Sequence, residues 1–205
     1  MMPKDRVSKK NDLLAVIPKL STSYSVKFEF KPTRFQSGWT NIIHLSATGG
    51  NCCKYGDRIP AVWFFSSTTS ATKNKLHICS SVSGNGNYCF NSGIIVPRGQ
   101  WTKIEINQHR EGVSYKYVVK VNDAILGSVI NTKPQQFSNV KVFGADNWYN
   151  AAQGSMRNLV VNPNLKGNIF HMNSFIIFGK LVWAHHKINE SGSNNLDGGY
   201  NSGFW

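Results

Sequence analysis

The residues able to do chemistry in this chain cluster in three gaps between apolar runs. Gly49–Ile59 carries Cys52, Cys53, Tyr55, Asp57 and Arg58. A second gap carries Asn85, Asn87 and Tyr88, and the third reads Asp146-Asn147-Trp148-Tyr149-Asn150. Carboxylates beside amide and backbone oxygens suit a hard cation such as Ca2+, which takes about six to eight oxygen ligands. Asp57 and Asp146 are therefore the candidate metal ligands, and they would equally accept hydrogen bonds from sugar hydroxyls. Trp148 or Tyr149 would stack on a pyranose face, and Arg58 would meet an anionic group. Tyr55, Asn85, Asn87 and Asn147 would complete a shallow polar-aromatic site if the loops come together. A plainer alternative fits the same residues: Asp57 pairs with Arg58 or caps a turn, and Asp146-Asn147 is turn chemistry. Trp148 then tucks under a sheet and Tyr55 closes a core edge.

Catalytic patterns are missing. A retaining glycosidase needs two carboxylates about 5–5.5 Å apart. Glu29, Asp57, Glu105, Glu111, Asp123 and Asp146 each stand without an acidic partner on their own strand. No Gly-x-Ser-x-Gly nucleophile elbow occurs. His44 and His77 fall inside strand patterns and read as structural. His185-His186 has no evident zinc-binding neighbour. The expectation is a protein that binds rather than catalyses.

Cys79 and Cys89 flank a Gly84-Asn85-Gly86-Asn87 turn signal. They could face each other across a hairpin, and a disulfide there is reasonable if their Cα atoms come within roughly 4.4–6.8 Å. Cys52 and Cys53 are adjacent, which allows a vicinal disulfide or two free thiols. Sequence alone leaves the pairing open, and no pair shows the short spacing of zinc ligands. Disulfide use favours an oxidising, extracellular setting. The N-terminus lacks the apolar core of a signal peptide, so the expectation is a mature form. The most apolar run, 175–183, is too short to cross a membrane. Asn189-Glu190-Ser191 is a glycosylation sequon if the chain is secreted.

Lys and Arg outnumber Asp and Glu by 23 to 10, a formal net charge of +13. Such an excess concentrates anions at the surface: sulfated glycans, acidic lipids, acidic proteins or nucleic acid. No helix carries a basic stripe and no zinc-finger spacing occurs, so dedicated nucleic-acid recognition is not expected.

The elements that must position these loops are strands. In 24–31, Tyr24, Val26, Phe28 and Phe30 alternate with Ser25, Lys27, Glu29 and Lys31, and Pro32 follows. The period of two marks one face in a core and one in water. Residues 101–108 and 115–122 repeat the pattern around Arg110-Glu111-Gly112, a hairpin signature. Further strands are expected at 13–20 (an edge strand, given Pro18), 39–46, 61–65, 124–130, 140–144 and 156–161, with a cysteine hairpin over 76–91. Trp39, Trp63 and Trp101 lie in strand patterns and are assigned to packing. About ten short strands with frequent turns predict an all-β protein, a two-sheet antiparallel β-sandwich. Residues 1–11 read as a basic flexible segment and 12–162 as the sandwich. Residues 163–205 read as an extension with a strand pair in 169–183 and a flexible tail.

The order of elements resembles the concanavalin A-like lectin and glucanase superfamily, especially laminin G-like and pentraxin-like domains. The matching residues are Tyr-Ser-Val-Lys-Phe-Glu-Phe-Lys-Pro at 24–32, Trp-Phe-Phe at 63–65 and Gly-Gln-Trp-Thr-Lys-Ile-Glu-Ile at 99–106. Val-Asn-Asp at 121–123 and Gly-Ser-Met-Arg-Asn-Leu-Val-Val at 154–161 complete the set, and Tyr-Gly-Asp-Arg-Ile-Pro-Ala-Val-Trp-Phe at 55–64 looks like segments of secreted invertebrate members. The resemblance implies a jelly roll that binds glycan or protein, sometimes through calcium. It also implies acidic loops at one rim, although this chain is poor in acids. The glucanases of the superfamily carry a Glu-x-Asp-x-x-Glu strand that this chain lacks. The expected function is extracellular, lectin-like binding of glycans or glycoproteins, favouring anionic ones and assisted by Ca2+. The alternatives are an adhesion module that binds protein on the same scaffold and a divergent glycoside hydrolase or lyase.

Overall fold

Alternation dictates strands, and strands are the only extended regular structure among the described residues. The computed structural model describes residues 5–65 and 74–165. The expected strand pair in 169–183, the tail, His185-His186 and the sequon lie outside these residues. Thirteen strands form in the order β1 (Arg6–Val7), β2 (Leu13–Leu20), β3 (Tyr24–Pro32), β4 (Thr40–Ser46), β5 (Ala61–Phe64), β6 (Lys75–Val82) and β7 (Asn85–Ile95). They continue as β8 (Thr102–Glu111), β9 (Ser114–Val121), β10 (Ala124–Asn131), β11 (Phe137–Phe143), β12 (Asn150–Ala151) and β13 (Gly154–Asn162).

Two sheets stack. One runs β1-β13-β3-β8-β9-β10; the other runs β2-β11-β4-β5-β6-β7, with β12 beside β4. β12 pairs parallel to β4 and every other pairing is antiparallel. Between the sheets lie the apolar halves of the alternating strands. Val26, Phe28 and Phe30 of β3 meet Ile104 and Ile106 of β8, and across the sandwich Leu45, Val62, Phe64 and Ile78. Each fully buried side chain of this kind contributes about 1.5–3 kcal/mol of hydrophobic stabilisation.

Turn chemistry sets the register. Asn122 and Asp123 both have positive φ and join β9 to β10 as a two-residue turn, the conformation Asn and Asp tolerate and a twisted hairpin prefers. The β8–β9 hairpin turns at Gly112-Val113, one step beyond the Arg110-Glu111-Gly112 expectation. The cysteine hairpin turns at Ser83-Gly84, both at positive φ. Asn85 and Asn87 are therefore strand residues of β7 and not tip residues.

The N-terminal segment also differs from expectation. Arg6–Val7 pairs with Met156 and Ser155 of β13, and Arg6 forms an ion pair with Asp12. An unpaired flank of β13 recruits this short stretch as its edge strand. β12 was likewise not legible. Its two residues hold place through the hydrogen bond from Ala152 N to the Asn41 carbonyl oxygen (2.8 Å).

Candidate binding site

The site lies on the face of the second sheet that points away from the core. Along β5, Val62 and Phe64 point inward, so Ala61 and Trp63 point outward. On β6 the register sets His77 opposite Trp63 and Cys79 opposite Ala61. On β7 Cys89 stands opposite Cys79, and Asn91 opposite His77. Trp63, His77, Asn87, Cys79 and Cys89 therefore share one surface, with a separate apolar cluster at Ala61, Trp63 and Cys79, against which Cys89 and Tyr149 pack. Cys79 and Cys89 are joined by a disulfide, as expected for facing strand positions, and so are Cys52 and Cys53.

Two loops rise over this surface. The first, 47–60, is fastened at Asp57, which is buried. Thr48 Oγ1 donates to one of its carboxylate oxygens, and the Lys54 N–H donates to the other at 2.8 Å. The loop also presses on β7: a Cβ added at Gly86 would overlap the Cys53 carbonyl oxygen and the Lys54 backbone. The second loop, 144–149, is fastened at Asp146, also fully buried. Its Oδ1 accepts from the N–H groups of Trp148 (3.1 Å) and Tyr149 (2.8 Å). Its backbone N–H donates to Asn41 Oδ1 at 2.8 Å, and Asn41 Nδ2 donates to the Ile43 and Val62 carbonyl oxygens. His44 ties the loops together. Its Nδ1 lies 2.9 Å from Asp146 Oδ2 and its Nε2 2.8 Å from the Asp57 carbonyl oxygen.

These contacts decide what the two carboxylates can do. A calcium ion needs several oxygens with free lone pairs facing one point. Asp57 and Asp146 already accept from hydroxyl, backbone and imidazole partners, and His44 links the Asp146 carboxylate to the Asp57 carbonyl oxygen. Both carboxylates serve as loop anchors.

Between the loops and the sheet lies a cavity of about 270 Å³ lined by Trp39, Cys52, Arg58, Trp63, His77, Asn87 and Tyr149. That volume is just under the ~300–1,000 Å³ of drug-sized pockets. Trp39 and Cys52 are exposed at its rim. Trp63 forms its floor, 1% exposed, and its Nε1–H finds no acceptor among the described residues. The Arg58 guanidinium carbon lies 4.4 Å from the centre of the Trp63 ring. Arg58 Nε donates to the Asn51 carbonyl oxygen at 2.9 Å, and Nη1 donates to Asn87 Oδ1. Burial draws the Arg58 guanidinium below its ordinary value, and Tyr149, Asp146 and Asp57 oppose that shift. Arg58 is 6% exposed, yet among the described residues no carboxylate forms an ion pair with it. Tyr149 packs edge-on to Trp63 at 5.9 Å, and its hydroxyl accepts from Asn51 Nδ2 at 3.5 Å.

Of the residues singled out from sequence, the cavity brings together Arg58, Asn87 and Tyr149. Tyr55 faces elsewhere: its hydroxyl donates to the Lys133 carbonyl oxygen at 2.6 Å and its ring stacks on Phe137. Asn85 Oδ1 accepts from the Asn87 N–H at 2.8 Å and shapes the start of β7. Asn147 lies in the second loop and is exposed, outside the cavity lining. Trp148 stands 5.4 Å from His44, away from the cavity lining.

Trp39, Trp63, His77 and Cys52 were not singled out as site residues. The strand patterns assign Trp39, Trp63 and Trp101 to packing; Trp63 does pack against Ala61, Cys79 and Tyr149, and Trp101, just before β8, has Lys31 (4.7 Å) and Arg157 (4.0 Å) over its ring. The available signal was the alternation Ala61-Val62-Trp63-Phe64 against His77-Ile78-Cys79, which separates an outward from an inward set.

No protein-family model matches the chain, and no curated protein matches it. Solved structures do. A heptameric SAP-like pentraxin from Limulus polyphemus aligns over 76% of this chain and 74% of its own, at 16% identity and a TM-score of 0.51. Domain 4 of the extracellular arabinanase AbnA from Geobacillus stearothermophilus, solved with arabinotriose, aligns over 72% and 65%, at 18% identity and a TM-score of 0.46. The carbohydrate-binding module CBM66 from Bacillus subtilis aligns over 78% and 92%, at 8% identity and a TM-score of 0.40. At such identities the likeness is one of fold, and the fold of this chain is the concanavalin A-like jelly roll, a sandwich of two antiparallel sheets.

Proposed function

We propose that the cavity over β5, β6 and β7 binds carbohydrate and favours a sugar that carries an anionic group. The observation behind this reading is Arg58: a guanidinium almost fully buried, stacked on Trp63, and without a carboxylate partner among the described residues. Desolvating a charge costs several kcal/mol even after relaxation. The cost is offset when a ligand brings the missing anion into a site of low dielectric, where a bidentate guanidinium contact is strong. The unsatisfied Trp63 Nε1–H adds a second donor in the same space. Trp39 and Tyr149 offer apolar ring faces, which suit the C–H face of a pyranose.

The reading is one of binding without catalysis. The described lining holds no Asp or Glu, whereas glycoside hydrolysis requires two positioned carboxylates. Calcium has no role in it, because Asp57 and Asp146 act as loop anchors. All four cysteines are in disulfides, which supports an extracellular setting.

A glycan array bearing sialylated, uronate-containing, sulfated and neutral sugars, probed with wild type and Tyr149→Ala, tests the proposal. Acidic glycans should give signal with wild type and lose it with the variant. Uniform background from both proteins would discard lectin activity, and partner capture that persists in excess glycan would favour the protein-adhesion alternative.

A further inference from the structure

We propose that reduction of the Cys79–Cys89 disulfide opens, on the sheet surface beside the cavity, a site for a thiophilic divalent cation such as Zn2+, held by His77, Cys79 and Cys89. The ligand atoms of these three residues already lie within 4.8 Å of one another. His77 Nε2 is 3.0 Å from Cys79 Sγ. On the other side of the ring, Nδ1 is 2.7 Å from Asn91 Oδ1. An amide oxygen can only accept, so Nδ1 carries the proton and Nε2 presents its lone pair to the sulfur. That is the tautomer a metal-bound imidazole needs, fixed by an outer hydrogen bond of the kind that orients metal-ligating histidines.

The chemistry balances with a dithiol as reductant. The dithiol supplies two electrons and two protons, the Cys79–Cys89 S–S bond breaks, two thiols form, and the dithiol closes to its own disulfide. Metal binding then releases both thiol protons to solvent. Tetrahedral Zn–S bonds of about 2.3 Å set two sulfurs roughly 3.8 Å apart. Breaking the S–S bond frees both side chains to rotate toward that separation, and Cys89 sits on β7, an edge strand. The cavity beside His77 leaves space for water as a fourth ligand. Linear spacing hides this site, since the cysteines are ten positions apart; only the β6–β7 register brings them to one point.

Cobalt(II) is the probe, because thiolate coordination gives it intense near-ultraviolet bands and tetrahedral geometry gives visible ones. The protein is reduced with dithiothreitol, desalted without air and titrated with CoCl2. The double variant Cys52→Ser/Cys53→Ser serves as background, so that those thiols cannot contribute. The expected result is one equivalent of bound cobalt with both sets of bands, displaced by Zn2+, and no bands from the oxidised protein. His77→Ala should weaken cobalt binding by at least ~10-fold, and Asn91→Ala by about 10-fold. Three results would overturn the proposal: a featureless titration with reduced protein whose circular dichroism is still that of β-structure, loss of that β-signature with and without metal, or uptake indifferent to His77→Ala. The readout involves no glycan, so its failure is separate from failure of the lectin reading.

Discussion

The Arg58 guanidinium lies 4.4 Å above the Trp63 indole, and the hydrogen bond from Arg58 Nη1 to Asn87 Oδ1 holds it there. The pair joins the first loop to β5 and β7 and places a positive charge over an aromatic floor. A cation in this position is stabilised by the ring but keeps its demand for an anion.

Arg58→Lys should separate charge from geometry. Lysine keeps the charge but loses the planar fork that reaches Asn51, Asn87 and a ligand together. Affinity for acidic glycans, measured by isothermal titration calorimetry, should fall by about tenfold or more, equivalent to ~1.4 kcal/mol. An unchanged affinity would remove the guanidinium from the binding set.

Asp146→Ala should be costly. It leaves the N–H groups of Trp148 and Tyr149 and the Nδ1 of His44 without their partner in a fully buried site. Loss of one member of a buried pair costs about 3–5 kcal/mol. Urea denaturation should show a loss of that order, whereas a change below ~1 kcal/mol would contradict the anchoring role.

Chelation separates anchors from ligands. With EDTA added and no metal supplied, glycan binding and the thermal midpoint should stay unchanged, because the oxygens of Asp57 and Asp146 already have protein partners. Loss of binding that calcium restores would return these carboxylates to the role of metal ligands.

Gly86→Ala should damage the site from outside it. The added methyl meets the Cys53 and Lys54 backbone, which has no side-chain freedom with which to yield. Overpacking of this kind costs typically about 1–3 kcal/mol. Displacing the loop also pulls Arg58 from Asn87, so glycan affinity should drop while circular dichroism keeps its β-signature.

The first sheet supplies a pH prediction. Burial raises the Glu29 carboxyl, but hydrogen bonds from Asn158 and Arg157 and the charges of Arg157 and Lys103 outweigh it, so its pKa lies below 4.5. The native state therefore binds fewer protons than the unfolded chain once the pH falls below 4.5. The stabilisation is present above that pH and is lost as the pH falls through the lower native value. Glu29→Gln should flatten the dependence of the urea midpoint on pH below 4.5. A double-mutant cycle with Arg157→Ala should return a coupling of roughly 0.5–1 kcal/mol at neutral pH.

The strands were legible because their cause is local. Tyr24-x-Val26-x-Phe28-x-Phe30 fixes a period of two, and with it an inner and an outer face, whatever the partner strand. The cysteine pair was legible for a related reason: a tight turn with strands on both sides sets Cys79 and Cys89 opposite each other. The sequence by itself thus determined the two-layer architecture and the placement of Arg58 and Tyr149 in loops, and it made Cys79 and Cys89 candidates for a cross-strand bond that the structure then showed.

Which outward face matters was decided only by tertiary structure. Trp63 lies in β5 and Trp101 just before β8, in patterns of equal alternation, yet one floors a cavity and the other is half-buried with Lys31 and Arg157 over its ring. The difference comes from what covers them. Loop 47–60 and loop 144–149 close over β5 because His44 bonds to both, from opposite ends of its ring. That contact joins residues 13 and 102 positions from His44 along the chain. No local pattern encodes such a meeting: it depends on strand order, on the sides of the sandwich from which the loops leave, and on the burial that makes each hydrogen bond necessary.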